Sequence, residues 1–75
     1  MNQPTYELWD LSTRNLIGAY TSESGARRAV QRMAARSRKA VASLALVRDT
    51  GTSTTTIARG NELLRRARRG AAVSA

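Results

Sequence analysis

An α+β fold with the element order ββαββα, a four-stranded antiparallel sheet with two helices on one face, is what this 75-residue sequence predicts. Three observations lead there. Strand-like stretches flank a turn-rich segment at two places, Tyr6–Trp9 with Leu16–Tyr20 and Val41–Val47 with Ser53–Arg59. Between these pairs Ala26, Ala29, Val30, Met33 and Ala34 recur at the spacing of one helix face. After the second pair, Leu63, Leu64 and Ala67 repeat that spacing. Two hairpins and two amphipathic helices bury such stripes most simply as two layers around one core.

The first strand starts at Tyr6, with Pro4 tolerated just before it. Asp10 to Asn15 is turn-rich and makes a hairpin of the two opening strands. Either Arg14 or Asn15 must take a left-handed conformation there, which Asn tolerates better. If Trp9 faces Leu16, then Tyr6, Leu8, Ile17 and Ala19 share one face, and Trp9, Leu16, Gly18 and Tyr20 the other. The first helix begins with Thr21 or Ser22 as its N-cap and Glu23 in the first turn, where the helix dipole favours an acid. Its stripe is mostly Ala and Val, so it packs close to the sheet.

Val41 to Val47 reads as a central strand, and Asp49–Thr52 as a turn in which Gly51 is free to adopt positive φ. Ser53 to Arg59, rich in β-branched residues, is the fourth strand. The register of this hairpin is ambiguous from sequence. Setting Leu44 opposite Ile57 gives the cleaner face, with Ala42, Leu44, Leu46, Thr55 and Ile57 together. The second helix runs from near Asn61 to near Arg69, with Gly70 as its C-cap. Glu62 and Arg66 stand at i, i+4 in the favourable order. Residues 5–70 thus form a single domain, with 1–4 a flexible start and 71–75 a disordered tail.

Composition narrows the function. A chain of this length buries only about 60% of its unfolded surface, so a second core is out of reach. There is no Phe, one Trp and two Tyr, and the core must be built from aliphatic residues. No Cys excludes disulfides and thiolate chemistry, and no His removes the usual general base and the commonest metal ligand. Glu7, Asp10, Glu23, Asp49 and Glu62 are scattered along the chain. The expectation is a protein that is not an enzyme and needs no cofactor or metal. The longest apolar run is seven residues and is interrupted by Ser43, which argues against a membrane span. Met1–Thr5 does not read as a secretory signal, and a cytoplasmic location follows as the default. Thirteen basic residues, twelve of them Arg, stand against five acidic ones, a net charge of +8. Such a surface attracts polyanions.

Tyr6-x-Leu8-Trp9-Asp10, Thr13-x-Asn15-x-x-Gly18, the Ala- and Val-striped helix, Leu44-Ala45-Leu46 and Ile57-Ala58-x-Gly60 together resemble a group of short uncharacterised bacterial proteins. The resemblance covers roughly residues 6–68. Those proteins have Gly where this chain has Arg14, acidic residues where it has Gly25, and less basic charge. The resemblance implies a stand-alone domain and no particular activity.

Three features are candidates for function. Arg28, Arg32 and Arg36 repeat at i, i+4 and i+8 and form a ridge, with Arg27, Arg38 and Lys39 beside it. Like charges at that spacing cost a helix about a few tenths of a kcal/mol per pair. The ridge is either a phosphate-binding surface or an ordinary solvated face. Arg65, Arg66, Arg68 and Arg69 form the second cluster. Arg68 and Arg69 have a simpler explanation as cations near a helix C-terminus, so Arg65 and Arg66 are the stronger candidates. The third feature is the sheet face of Trp9, Leu16 and Tyr20, read as a homodimer interface in preference to a base-stacking platform. Thr52–Thr56 reads as strand-forming sequence rather than a phosphate site.

The function expected is a small nucleic-acid-binding protein, for DNA or RNA. It contacts phosphates through Arg28, Arg32, Arg36, Arg65 and Arg66, largely without regard to sequence. The alternative is a small interaction protein, an inhibitor or accessory subunit that binds an acidic protein surface. The guanidinium fork suits carboxylates as well as phosphates. A membrane-surface role is disfavoured, because the apolar side of the first helix is too small to insert strongly.

Overall fold

The computed structural model describes the backbone of residues 3–74 and the side chains of residues 3–69. In chain order the elements are β1 (Thr5–Asp10), β2 (Asn15–Tyr20), α1 (Glu23–Arg36), α2 (Arg38–Val41), β3 (Leu44–Asp49), β4 (Thr54–Arg59) and α3 (Gly60–Ser74). The strands form one antiparallel sheet in the order β2-β1-β3-β4. Helices α1 and α3 pack on one face of it and against each other, which is the α+β class expected. The core holds Leu8, Val30, Val41, Leu44, Leu46 and Leu63, each less than 2% exposed, with Ala26, Ala29, Ala58 and Ala67 between them. Those alanines let both helices approach the sheet closely.

The first hairpin carries a bulge that the sequence reading lacks. Trp9 does pair with Leu16, but the register then shifts, so that Leu8 pairs with Gly18 and Tyr6 with Tyr20. The extra residue, Ile17, reverses the facing of everything that follows it in β2. Tyr6, Leu8, Gly18 and Tyr20 therefore share the helix-covered face. Trp9 and Leu16 share the other with Glu7 and Ala19. Gly18 explains the preference. Tyr20 lies across it, and a Cβ there would sit 2.7 Å from the phenol oxygen. The ring lies over the bare backbone and packs against the core. In the turn Arg14 takes the left-handed conformation, φ 60°, rather than Asn15. Glycine would relieve the strain of about 1–2 kcal/mol that an L-residue meets there. Hydrogen bonds to Asp10, chiefly from the Ser12 hydroxyl, fix the turn and hold that carboxyl below its ordinary value.

Ser22 is the N-cap of α1, accepting from the Gly25 N–H at 3.1 Å, with Glu23 in the first turn. Ala26, Ala29 and Val30 are buried, and Met33 and Ala34 pack beside them, as the stripe predicts. The short helix α2 is new. Ser37 ends α1 and caps α2, so Val41 enters the core from a helix and Ala42 is exposed. Strand β3 consequently starts at Leu44, three residues later than expected.

In the second hairpin Leu46 faces Ala58 and Ala45 faces Arg59, and a second bulge places Val47 opposite Thr56. Leu44 and Leu46 do point inward. Ile57 is the bulge residue, half-buried against the core, whereas Thr55 is exposed. Helix α3 follows β4 directly because Gly60 turns the chain at φ +55°; a Cβ there would approach the Ala42 carbonyl oxygen at 3.2 Å. Gly70 does not end this helix, whose backbone continues to Ser74. Met1, Asn2 and Ala75, where the expected flexible start and tail reach the chain ends, lie outside the described residues.

Candidate polyanion-binding surface

The charge is sorted by layer. Helices α1, α2 and α3 hold ten basic residues and two acidic ones, Glu23 and Glu62. The strands and turns hold three basic residues (Arg14, Arg48 and Arg59) and three acidic ones (Glu7, Asp10 and Asp49). The helical layer thus carries the whole net charge of +8, and the sheet layer is neutral.

Within that layer, burial decides which guanidiniums are offered. Arg28, Arg32 and Arg36 are exposed. Arg28 and Arg32 stand opposite the buried stripe of Ala26, Ala29 and Val30, so they point away from the sheet. Arg65, exposed, stands in the same way opposite Leu63 and Ala67 on α3. Because α1 and α3 lie on the same sheet face, the two clusters emerge on one side of the molecule. Sequence alone left that relation open.

Arg66 departs from the expectation. It is half-buried, and its Nε lies 3.5 Å from Glu23 Oε2 on α1, an ion pair too loose to count as a hydrogen bond. The same carboxylate oxygen receives Arg27 Nη2. Glu23 therefore joins two arginines across the helix pair, in place of the Glu62–Arg66 pair expected within α3. Nearby, Gln31 Nε2 donates to the Ala67 carbonyl at 2.7 Å and fixes the helices side by side. Arg27 and Arg66 are partly committed to holding the layer together, and fewer of their donors remain for a ligand.

Arg68 and Arg69, which sequence reasoning set aside as helix-end cations, are exposed and sit in the middle of α3. With no basic residue in the last turn of the helix, the dipole explanation for them falls away. Arg68 and Arg38 both line a shallow groove of about 250 Å³, together with Gln31, Ala34, Ala35, Leu64 and Ala67. The signal that would have found them is the length of α3, hidden by reading Gly70 as a stop.

Tyr20 is not part of the open sheet face, because the Ile17 bulge turns it under α1. Trp9 and Leu16 remain there. Among the described residues no group of three His, Cys, Asp or Glu is placed to hold a metal ion, and no helix is long and apolar enough to cross a membrane. No family model, curated protein or solved structure matches this chain.

Glu23 supplies a test that separates stability from binding. The Glu23→Gln variant loses a favourable charge in the first turn of α1 and a part-exposed ion pair, together worth about 1 kcal/mol after solvent screening. It also frees Arg27 and Arg66. Thermal unfolding should show the loss, while affinity for duplex DNA rises about five-fold for each additional phosphate neutralised near 0.15 M salt. A variant that is both less stable and weaker in binding would place these two arginines outside the binding surface.

Proposed function

We propose that the protein binds nucleic acid, DNA or RNA, through the outer side of its helical layer. Arg28, Arg32, Arg36 and Arg65 contact phosphates, and Arg66 contributes from its ion pair. The observation that carries this reading is the segregation of the entire +8 charge onto the helices, with exposed guanidiniums of both pointing the same way. Arg68 and Arg38 extend the surface across the groove. Guanidiniums presented side by side on two adjacent helices suit a polymer with regularly spaced phosphates, and phosphate contacts carry no sequence information of their own. Binding is therefore largely independent of sequence. In this reading the protein is cytoplasmic and a binding module, not an enzyme.

Fluorescence anisotropy with labelled duplex DNA and a structured RNA, repeated over a salt series, tests it. Four neutralised phosphates give a slope of log K on log salt of about −3.6 for duplex DNA. Unrelated duplex sequences should bind alike. A slope near zero, or affinity weaker than about 0.1 mM at physiological salt, would sink the reading. The charge would then serve an acidic protein surface, and saturable binding to one such partner would identify an inhibitor or accessory subunit.

A further inference from the structure

Among the described residues no element lies upon the sheet's outer face, and its chemistry is the opposite of the helical layer's. By the alternation of the strands it presents Trp9, Leu16, Ala19, Val47 and Thr56, with Ala45 on the same side but buried beneath its neighbours. The three large hydrophobic residues that are most exposed, Leu11 (49%), Leu16 (48%) and Ile17 (42%), all belong to the β1–β2 hairpin beside it. Trp9 donates its indole N–H to Glu7 Oε1 at 3.1 Å along the same face, so its one polar atom is satisfied within the chain. The charges on this face are Glu7, Asp49 and Arg59, and Asp49 already accepts the Gly51 N–H.

We propose that two copies of the chain pair through this face, back to back, and that the resulting dimer bridges two nucleic-acid segments. Electrostatics selects the second copy as the occupant. Phosphates gain nothing from a face that carries two carboxylates and one guanidinium, which removes the base-stacking reading. Two chains of charge +8 repel each other by any approach that brings their helical layers together. Each molecule is a slab measuring 35 × 32 × 16 Å over its Cα atoms. Sheets stacked about 10 Å apart put the two helical layers about 30 Å apart on opposite outer surfaces. That separation is several times the Debye length of about 8 Å at physiological salt. The face is also self-complementary in sign, since a two-fold axis can set Glu7 of each copy toward Arg59 of the other.

Size sets the strength. Six-residue strands are about 20 Å long and four of them span about 19 Å, a footprint of about 400 Å² per copy. With side-chain relief and the hairpin residues added, the total comes close to the roughly 1,000 Å² at which specific interfaces begin. An interface at the low end of this range is of the weak, transient kind, and the test is set for a dissociation constant of about micromolar. Since the two basic surfaces point outward in opposite directions, one dimer holds two segments. This second step rests on the nucleic-acid reading above.

The test uses the full chain and the Leu16→Gln/Ala19→Gln variant. Both positions are exposed, so the fold should persist, and neither change alters charge; thermal melting verifies the fold. Sedimentation is followed up to about 200 μM, well above a micromolar dissociation constant. Bridging is read as retention of a fluorescent duplex by a second duplex fixed on beads. The expected result is a wild-type dimer that bridges, and a monomeric variant with affinity for one duplex within about three-fold of wild type and retention down at least about ten-fold. A monomeric wild type, a variant that dimerises as well as wild type, or duplex binding without bridging would overturn the back-to-back dimer while leaving the nucleic-acid reading intact. A dimer that binds no duplex would sink that reading and the bridging with it, and would leave the sheet-face pairing as the part retained.

Discussion

Replacing Arg28, Arg32 and Arg36 together by alanine is expected to weaken duplex binding about 100-fold near 0.15 M salt and to flatten the salt slope by about 2.7. Each guanidinium that meets a phosphate releases condensed counterion, and three such contacts account for both figures. The protein itself should not suffer. All three side chains are exposed, and among the described residues the ion pairs of the helical layer involve Glu23 with Arg27 and Arg66 only. Their i, i+4 spacing sets like charges against one another, and alanine is the best helix former, so melting temperature should hold or rise. Anisotropy across the salt series and a circular-dichroism melt measure the two sides. Affinity that falls with no change in slope would mean that the ridge does not meet phosphates and that the loss is not electrostatic.

The largest effect on stability is expected at Leu46. The Leu46→Ala variant should lose about 3 kcal/mol, within the range for buried leucine truncations. Leu46 is 0% exposed at the centre of the sheet, between Leu8 on β1 and Ala58 on β4. Its surroundings include Ala26, Ala29, Ala58 and Ala67, which have no rotamers with which to fill a void. For a domain of this size each kcal/mol shifts the melting temperature by about 6 °C, so a drop of about 20 °C follows. Total stability is itself only about 4–11 kcal/mol, so the variant will be close to unfolding at growth temperature. Urea and thermal unfolding check the figure. A loss under about 1 kcal/mol would show that α1 and α3 settle inward to close the cavity.

The start of helix α1, to within one residue, and its buried face were legible, because Ser22, Glu23 and the Ala26–Ala34 stripe are local signals that agree with one another, whereas its break at Ser37 was not. The hairpins were legible in existence but not in facing. A single bulge residue in each, Ile17 and Ile57, changes the register, and period-two alternation gives no warning of an inserted residue. What decided the first was the packing of Tyr20 over Gly18, a contact between two residues of known identity whose geometry appears only once the helix is in place. At the third helix the local stop signal of Gly70 was overridden and the chain stayed helical through it. The exposure of the Arg28–Arg32–Arg36 ridge needed only the sequence, since it lies opposite the apolar stripe. The partial withdrawal of Arg66 did not, since its partner lies forty-three residues away on another helix.

By itself the sequence determined the class of fold, the aliphatic core and the sign and size of the charge, since hydrophobic periodicity and ionisable groups are properties of each residue and its near neighbours. Only the tertiary structure decided which guanidiniums are free, which face of the sheet is bare, and that the whole +8 lies on one layer. Those depend on register and on helix placement, and both are set by packing between segments distant in the chain. A one-residue shift in a strand moves a side chain from the core to the solvent, and no local rule fixes that shift.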